Sequence, residues 1–432
     1  MGSISANFAG WRWKERENTV ETLYRRHINP YWLDTLEELS LPSTHVRGDG
    51  LYLYDESGEA WLDLVAGYGA VSLGHHPPEI TRRVAEAIMA GGAPGTYPWG
   101  ANLPSAELAH RLVAKSPLPE DARAVFACGG AESVETAMKL AMAHTGRTRF
   151  LSFRDGFHGL TLEAMALNGN AVWRRALPDM RNANTCVDMR DVDAWTRHLR
   201  EADHAGVVIE LVQGIGGGAV WGAETLATLV ECCRETGTLV IVDEVQTGLG
   251  RTGRYFASEK FPVGLAPDII VLAKGLTAGI LPLSVALCRA EIHHSLFGAP
   301  GCARIHGSTY AGYGAGIVAG MAVLDFLESH EIPAVVARTS AHVRGRLEGL
   351  RAEHRSVASI EGEGLLITVT FSDDCPDLSG FCLDQCIANR VLVNLSAHRP
   401  NTIKLTPPLT IGTQELDDVV DLFDAALQAY AE

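Results

Sequence analysis

Between about Leu62 and Asp325, short apolar segments alternate regularly with longer amphipathic ones, and this alternation constrains the fold more than any other feature. Short apolar runs bounded by turn residues are typical of buried strands, and apolar residues spaced three or four apart are typical of helices. The predicted strands are Arg123–Cys128, Arg149–Phe153, Gly206–Leu211, Leu239–Val245, Ile269–Leu272 and Ser284–Arg289. The predicted helices are Pro78–Ala90, Ser105–Ala114, Ala131–Ala143, Asp191–Glu201 and Ala223–Thr236. Strands and helices in alternation predict an α/β layer with a largely parallel sheet.

The segments on either side of this alternation predict a second, smaller region. Leu51–Tyr54 is expected to be a hairpin strand near the N-terminus. The elements predicted after the alternation are a helix at Ala315–Ser329, a break near Pro333, a helix at Val335–Glu353, a strand at Leu365–Phe371 and a closing helix at Gln414–Ala431. We therefore predict a large domain over residues 63–329 and a smaller α+β domain over residues 330–432, to which the segment 1–62 contributes.

Composition limits the classes of partner and compartment. The formal charge of −16 disfavours nucleic acid or an anionic membrane as a partner. The apolar stretch Ile269–Leu287 is interrupted by Lys274 and by glycine and proline, so it does not predict a membrane span. Residues Met1–Ala6 lack the apolar core of a signal peptide. Nine scattered cysteines without the pattern of a zinc site predict reduced thiols, no metal, and a cytoplasmic protein.

Lys274 is the first candidate for chemistry. It is one of only six lysines against thirty arginines, and it interrupts an apolar run. An ammonium group moved from water into such surroundings needs a partner or gives up its proton. A desolvated amine with a lowered pKa is what Schiff-base chemistry uses. The alternative is a strand-end lysine whose side chain extends to the surface.

Asp243 is the second candidate, 31 residues before Lys274 and near the C-terminal end of the predicted strand Leu239–Val245. An acid at a strand end and a lysine in an apolar turn suggest a cofactor whose aldehyde binds the lysine and whose ring nitrogen binds the carboxylate. Pyridoxal phosphate meets both requirements. Taken alone, the pair Asp243-Glu244 could equally well end a strand.

Three further segments complete a possible cofactor site. Strand Arg123–Cys128 runs into glycines and a helix start, so Gly130 and Ala131, helped by Ser133, could present backbone N–H groups to a phosphate. Phe157 and His158 follow another strand, where an aromatic ring can stack on a planar ligand or simply pack. Glu210 ends a strand and could hydrogen-bond near Asp243 or be solvated.

The segment Gly248–Gly253 matches the glycine pattern of dinucleotide-binding proteins and follows a strand. The surrounding sequence disagrees with that function, because the strand ends in two acids that would repel a pyrophosphate and the following residues make a poor helix. We do not predict a dinucleotide site.

The block Asp243–Gly253, followed by Pro267-Asp268-Ile269 and Ala273-Lys274-Gly275-Leu276, resembles the class III pyridoxal-phosphate-dependent aminotransferases, and the resemblance extends from about Tyr54 to Leu427. That family includes ornithine, acetylornithine, 4-aminobutyrate and omega-amino acid aminotransferases. The resemblance implies fold type I, with a mostly parallel seven-stranded sheet in the large domain. It also implies a homodimer and a ping-pong transfer of an amino group from an amino donor to an aldehyde or keto acceptor.

The resemblance assigns roles to individual residues. Lys274 would form the Schiff base, Asp243 would pair with the ring nitrogen, and Glu210 would support Asp243. The other cofactor residues that it implies are Val245 and Phe157 on the two ring faces, His158 beside them, Gln246 at the ring hydroxyl, and Gly130 and Ala131 at the phosphate. Thr309 would reach the phosphate of the neighbouring subunit, and Tyr68 would lie in the substrate pocket.

Two departures from the family pattern concern the substrate. Ile215 stands where the family often has a glutamate, and Lys404 stands where the family has an arginine before Pro-Pro-Leu. We expect one half-reaction to use an α-amino acid such as glutamate, and the main substrate to carry a terminal primary amine or aldehyde, for example an amino sugar in antibiotic assembly. Three alternatives remain: Lys404 still binds a substrate carboxylate, the enzyme is an aminomutase or epimerase, or it is an omega-amino acid or ornithine-type aminotransferase.

Overall fold

The computed structural model describes residues 20–92, 100–178, 184–201, 203–262 and 264–431. At its centre lies a seven-stranded sheet. The strands, in spatial order, are Arg123–Ala127, Ser284–Cys288, Ile269–Leu272, Leu239–Asp243, His204–Ile209, Arg149–Phe153 and Thr185–Val187. Only Ser284–Cys288 runs antiparallel to its two neighbours, while the other pairings are parallel. The prediction of a mostly parallel seven-stranded sheet is confirmed.

Helices cover this sheet, which explains why its central strands are apolar runs. Leu239–Asp243, Ile269–Leu272 and Ser284–Cys288 are buried at every position, as is typical of strands covered on both faces. The helices of this part of the chain are Pro78–Met89, Leu103–Lys115, Gly130–Thr145, Leu162–Leu167, Val192–Glu201, Ala223–Thr236, Ala290–Phe297 and Gly314–Ser329.

Two smaller four-stranded sheets contain the remaining strands, and one of them combines segments near both ends of the chain. One contains His45–Asp49, Tyr52–Asp55 and Ala60–Asp63, with Val391–Leu392 added in parallel to the last of these. The other contains, in order, Val357–Glu363, Leu366–Phe371, Thr402–Leu405 and Asn394–Leu395. The helices of these parts are Val20–His27, Pro30–Glu38, Ile332–Glu353, Leu378–Ala388 and Thr413–Ala431. One apolar core contains buried residues from Trp61 to Leu427. The domain limits at residues 62 and 330 stay a prediction.

The predicted elements differ from the observed ones mainly at their ends. Pro333, expected to interrupt a helix, lies in the first turn of Ile332–Glu353. Proline fits there, since that N–H has no helical partner. The chain turns just before it, at Glu331, which has a φ of 48°. Several observed elements have no predicted counterpart, among them strands His45–Asp49, Ala60–Asp63, Thr185–Val187, Val357–Glu363 and Thr402–Leu405 and helices Val20–His27, Pro30–Glu38, Ala290–Phe297 and Leu378–Ala388.

Among the residues with described structure, no helix has the length and apolar character needed to cross a membrane. The prediction about a signal peptide concerns Met1–Ala6, which lie outside the described ranges.

Candidate active site

A cavity of about 360 Å³ opens where the central strands of the large sheet end. Asp243 is the last residue of its strand, and Ala273 and Glu210 directly follow theirs. This edge of a parallel sheet is where α/β proteins bind ligands. Nine of the twelve predicted site residues line the cavity: Gly130, Ala131, Phe157, His158, Glu210, Asp243, Val245, Gln246 and Lys274. Ile215 also lines it, so the loop presents an apolar side chain where the family often has an acid.

Lys274 begins a short 3-10 turn, Lys274–Thr277, that follows strand Ile269–Leu272. Its backbone has a φ of 45°, an uncommon conformation for a residue with a side chain. Burial lowers the pKa of the Lys274 amine, although the charges of Asp243 and Glu210 act in the opposite direction. A larger fraction of the amine is therefore in the unprotonated, nucleophilic form than in a surface lysine.

The carboxylate of Asp243 is held on both of its oxygens. One oxygen lies 2.9 Å from His158 Nδ1, and the other accepts the backbone N–H of Val245 at 3.0 Å. The backbone N–H of His158 in turn donates to Asn168 Oδ1 at 2.7 Å. Burial alone would lower the pKa of His158, but the hydrogen bond to Asp243 and the charges of Asp243 and Glu210 outweigh it and raise that pKa. These contacts fix the position of the Asp243 carboxylate at the cavity.

Glu210 holds the loops around the cavity. Its carboxylate accepts the backbone N–H of Phe157 at 2.9 Å and that of Gly214 at 3.1 Å. Burial raises the pKa of Glu210. Glu210 therefore acts on Asp243 through its charge and through the loops that it positions. The hydrogen bond expected near Asp243 is made instead to the backbone of the Phe157 loop.

Glu244, the neighbour of Asp243, has a separate function. It points away from the cavity and accepts the backbone N–H groups of Ala257 at 2.6 Å and Ser258 at 2.8 Å. Burial raises the pKa of Glu244 to about 7. It therefore fixes the segment after Gly248–Gly253, which continues as a 3-10 turn instead of the helix that dinucleotide-binding proteins have there.

The anion end of the cavity is the start of helix Gly130–Thr145. A side chain added at Gly130 would meet the Val245 methyl groups at 3.0 and 3.1 Å, so glycine allows the helix start to pack closely against Val245. N–H groups in a first helical turn have no helical partners and attract an anion. Ser133, expected to help, is fully buried and donates to Ser284 Oγ at 2.7 Å.

The remaining three predicted residues lie outside the cavity lining: Tyr68, Lys404 and Thr309. Gln246 Nε2 donates to the backbone oxygen of Tyr68 at 3.0 Å, and Lys404 Nζ lies 5.7 Å from the centre of the Tyr68 ring. Lys404 is only 1% exposed. Burial, together with the charge of Lys274, lowers the pKa of Lys404 to about 7. Thr309 lies on the surface of the chain.

Two residues that help to hold the site in place were not predicted from the sequence. Asn168 positions His158, and Arg251 donates through Nη1 to the backbone oxygens of Leu365, at 3.0 Å, and of Pro407. Burial lowers the pKa of Arg251 to about 9. No local pattern could reveal the contacts of Arg251, because its partners lie more than a hundred residues away in the chain.

The residues of the cavity fit pyridoxal phosphate. Lys274 offers an amine to an aldehyde, and Asp243 offers a fixed carboxylate to a ring nitrogen. Phe157 and Val245 offer apolar surfaces to a ring, and the helix start at Gly130 offers N–H groups to a phosphate. A family model described as aminotransferase class III matches residues 36–427. The chain belongs to the class III aminotransferases. This aminotransferase is therefore a transaminase that depends on pyridoxal phosphate.

Known proteins of this family resemble the aminotransferase along most of its length. It is 32% identical to an acetylornithine aminotransferase of Aquifex aeolicus, with 88% of this chain and 96% of that protein covered. It is 30% identical to aminotransferase PigE of a Serratia strain, covering 94% of this chain and 53% of that protein, so the chain spans about half of PigE. An amine transaminase from an uncultivated Pseudomonas species, solved with pyridoxal phosphate bound, has a TM-score of 0.79 and 31% identity, covering 89% and 94% of the two chains.

Proposed function

We propose that this aminotransferase takes the amino group of an α-amino acid such as glutamate and delivers it to a larger substrate with a terminal aldehyde. The observation that carries this proposal is the environment of Lys404. A guanidinium holds a carboxylate with two parallel hydrogen bonds, whereas an amine offers a single flexible contact. With a pKa near 7, Lys404 is moreover only partly charged at neutral pH. The site therefore holds a substrate carboxylate only weakly and favours a main substrate that carries none.

The proposed mechanism assigns a task to each cavity residue. Pyridoxal phosphate, when bound, supplies an electron sink for the bond that breaks at the donor carbon. The Lys274 amine, its pKa lowered by burial, would hold the cofactor aldehyde and, once released, would carry the proton during transfer. Asp243, held by His158 and Val245, would hold the ring nitrogen in its protonated form. Transfer then takes place in two half-reactions, with the donor product leaving before the acceptor binds.

The proposal includes the assembly and compartment of the enzyme. Thr309 is exposed and does not line the cavity of its own chain, as suits a residue that completes the phosphate site of a second subunit. All nine cysteines are free, which supports a reducing compartment such as the cytoplasm. Our candidate for the larger substrate is a sugar with a terminal aldehyde, whose aminated form is an amino sugar with a terminal primary amine.

A second candidate function is favoured by the relatives. Several acetylornithine aminotransferases are 32–34% identical to this chain, and each is covered over at least 89% of its length. N-acetylornithine reacts at its terminal amine and carries its carboxylate on the distant α carbon. An acetylornithine-type activity would therefore need Lys404 or another group to hold that carboxylate.

Both candidates are tested by measuring the two half-reactions separately, from the absorbance change as the cofactor is converted to its amine form and back. The amine substrates are glutamate, N-acetylornithine, ornithine, 4-aminobutyrate and an amino sugar with a terminal primary amine. We expect glutamate and the amino sugar to react faster than ornithine and 4-aminobutyrate. The variant Lys404→Arg should speed the reaction of substrates with a carboxylate and leave the amino sugar unchanged. A wild-type preference for ornithine, 4-aminobutyrate or N-acetylornithine over the amino sugar would show that the substrate proposal is wrong.

A further inference from the structure

The segment Ala66–Gly69 has an unusual backbone. Four consecutive residues have positive φ angles: 46° at Ala66, 58° at Gly67, 57° at Tyr68 and 83° at Gly69. Glycine adopts this left-handed conformation freely, but alanine and tyrosine are strained in it. Such strain persists only where the surroundings fix the backbone, and it concentrates at ligand clamps.

Two buried side chains outside the cavity fix this turn. Asp63 accepts the backbone N–H groups of Val65 at 2.9 Å and Ala66 at 2.8 Å through one oxygen. Its other oxygen lies 2.8 Å from His75 Nε2. Thr406 Oγ1 donates to the backbone oxygen of Val65 at 3.0 Å. The backbone that enters the turn is thus held by hydrogen bonds with two side chains that do not line the cavity.

The turn determines where Tyr68 lies. The Tyr68 side chain is 52% exposed, so packing alone does not fix it, yet its ring lies 5.7 Å from Lys404 Nζ. Its backbone oxygen accepts Gln246 Nε2 at 3.0 Å, and the next residue but one, Ala70, lines the cavity. The backbone of the turn, held at Asp63 and Thr406, therefore places the ring beside Lys404, two residues before the cavity-lining Ala70.

We propose that Asp63 and Thr406 are positioning residues for the amino-group substrate: they hold the left-handed turn so that Tyr68 faces the substrate beside Lys404. This inference rests on the proposed function, because it requires that substrate passes Tyr68 and Lys404. It predicts that weakening the support of the turn impairs substrate binding before it impairs cofactor binding or the chemical step.

Thr406→Val tests the proposal, since it removes the hydroxyl donor and keeps the size of the side chain. The matched control is Thr402→Val, at the start of the strand Thr402–Leu405 that ends just before Thr406; its buried hydroxyl pairs with Thr370 Oγ1 at 3.0 Å, away from the turn. In the cofactor-loaded enzyme, we expect Thr406→Val to raise KM for the amine substrate about threefold to tenfold. Its kcat and affinity for pyridoxal phosphate should stay near those of the control. Thr406→Ser, which keeps the hydroxyl, should restore the wild-type KM.

Hydrogen–deuterium exchange gives a second readout, independent of activity. The amides of Gly69 and Val71 donate within the turn to Val65 and Ala66 oxygens, and they should exchange faster in Thr406→Val than in Thr402→Val. In a Tyr68→Ala background, Thr406→Val should have no further effect on KM. If the wild type is active and Thr406→Val has the same KM or the same amide exchange as Thr402→Val, this inference alone is overturned. A wild type that transfers no amino group from any tested amine overturns the proposed function together with it.

Discussion

Lys404 is the residue whose charge state should be most visible in the stability of the protein. The amine ordinarily titrates near 10.5, whereas in the folded chain burial, with the charge of Lys274, lowers its pKa to about 7. Between these values the unfolded chain binds a proton that the folded chain has released. Folding stability should therefore rise with pH in this window by about 1.4 kcal/mol per pH unit from this group.

The variant Lys404→Met removes this contribution. We expect it to be more stable than wild type at pH 7 and to lose that advantage steadily as the pH rises to 9. Denaturant unfolding of both proteins at pH 7, 8 and 9 measures the difference. Parallel stability profiles for the two proteins would show that Lys404 keeps an ordinary pKa when folded.

At the scale of single residues, the sequence predicted chemistry better than contacts. Lys274 and Asp243 were identified by residue type and strand position, and the structure places both in one cavity. Glu244 and Ser133 could not be assigned correctly, because which way a side chain points at the end of a strand or the start of a helix depends on its partners. Those partners, Ser258 for Glu244 and Ser284 for Ser133, are 14 and 151 residues away.

Helix Gly130–Thr145 provides the prediction at the scale of elements. Gly130→Ala would place a methyl group 3.0 Å from a methyl group of Val245, so Val245 or the start of the helix must shift by a few tenths of an ångström beside the anion site. The comparison variant is Gly129→Ala, whose added methyl group meets no atom of the chain within 4 Å.

We expect Gly130→Ala to lower the melting temperature of the cofactor-free protein and to weaken pyridoxal phosphate binding about tenfold, the size of effect that one lost or displaced N–H contact to an anion produces. Gly129→Ala should leave the melting temperature of the cofactor-free protein unchanged. Calorimetry and cofactor titration measure the two quantities. Equal melting temperatures for the two variants would contradict the close packing of Gly130 on Val245.

Elements with a strong local signal were predicted closely. Arg149–Phe153, Ile269–Leu272 and Ala223–Thr236 have the predicted limits. Thr402–Leu405 was missed, since it is a strand because it pairs with Leu366–Phe371. The strand has no periodic pattern of its own, so its identity is set by tertiary pairing.

At the scale of the whole molecule, the alternation of strands and helices predicted the central sheet, but no sequence pattern predicted the strand pairing that brings residues near the two ends of the chain together. Val391–Leu392 pairs with Ala60–Asp63 over a separation of more than three hundred residues. Two-residue strands carry no sequence signal. The left-handed turn that follows Asp63 was equally hidden, because alanine and tyrosine do not indicate positive φ angles.

Thr309 provides the prediction about assembly. If it completes the phosphate site of a second subunit, Thr309→Ala should weaken pyridoxal phosphate binding several-fold, as expected for one lost hydrogen bond to a charged group. Because Thr309 is exposed in its own chain, the melting temperature under saturating cofactor should change little. Light scattering should give the mass of a dimer for both proteins. A fully active monomer would disprove the shared site.

The position of the bond between the protein and its cofactor tests the account most directly. Borohydride reduction of the cofactor-loaded enzyme fixes pyridoxal phosphate to the lysine that binds it, and peptide mass spectrometry locates that lysine. We predict the added mass on Lys274 alone, in the cavity beside Asp243, and its loss in Lys274→Ala. Modification of Lys404, the other buried lysine that feels the charge of Lys274, or of any other lysine in the wild-type enzyme, would contradict the account.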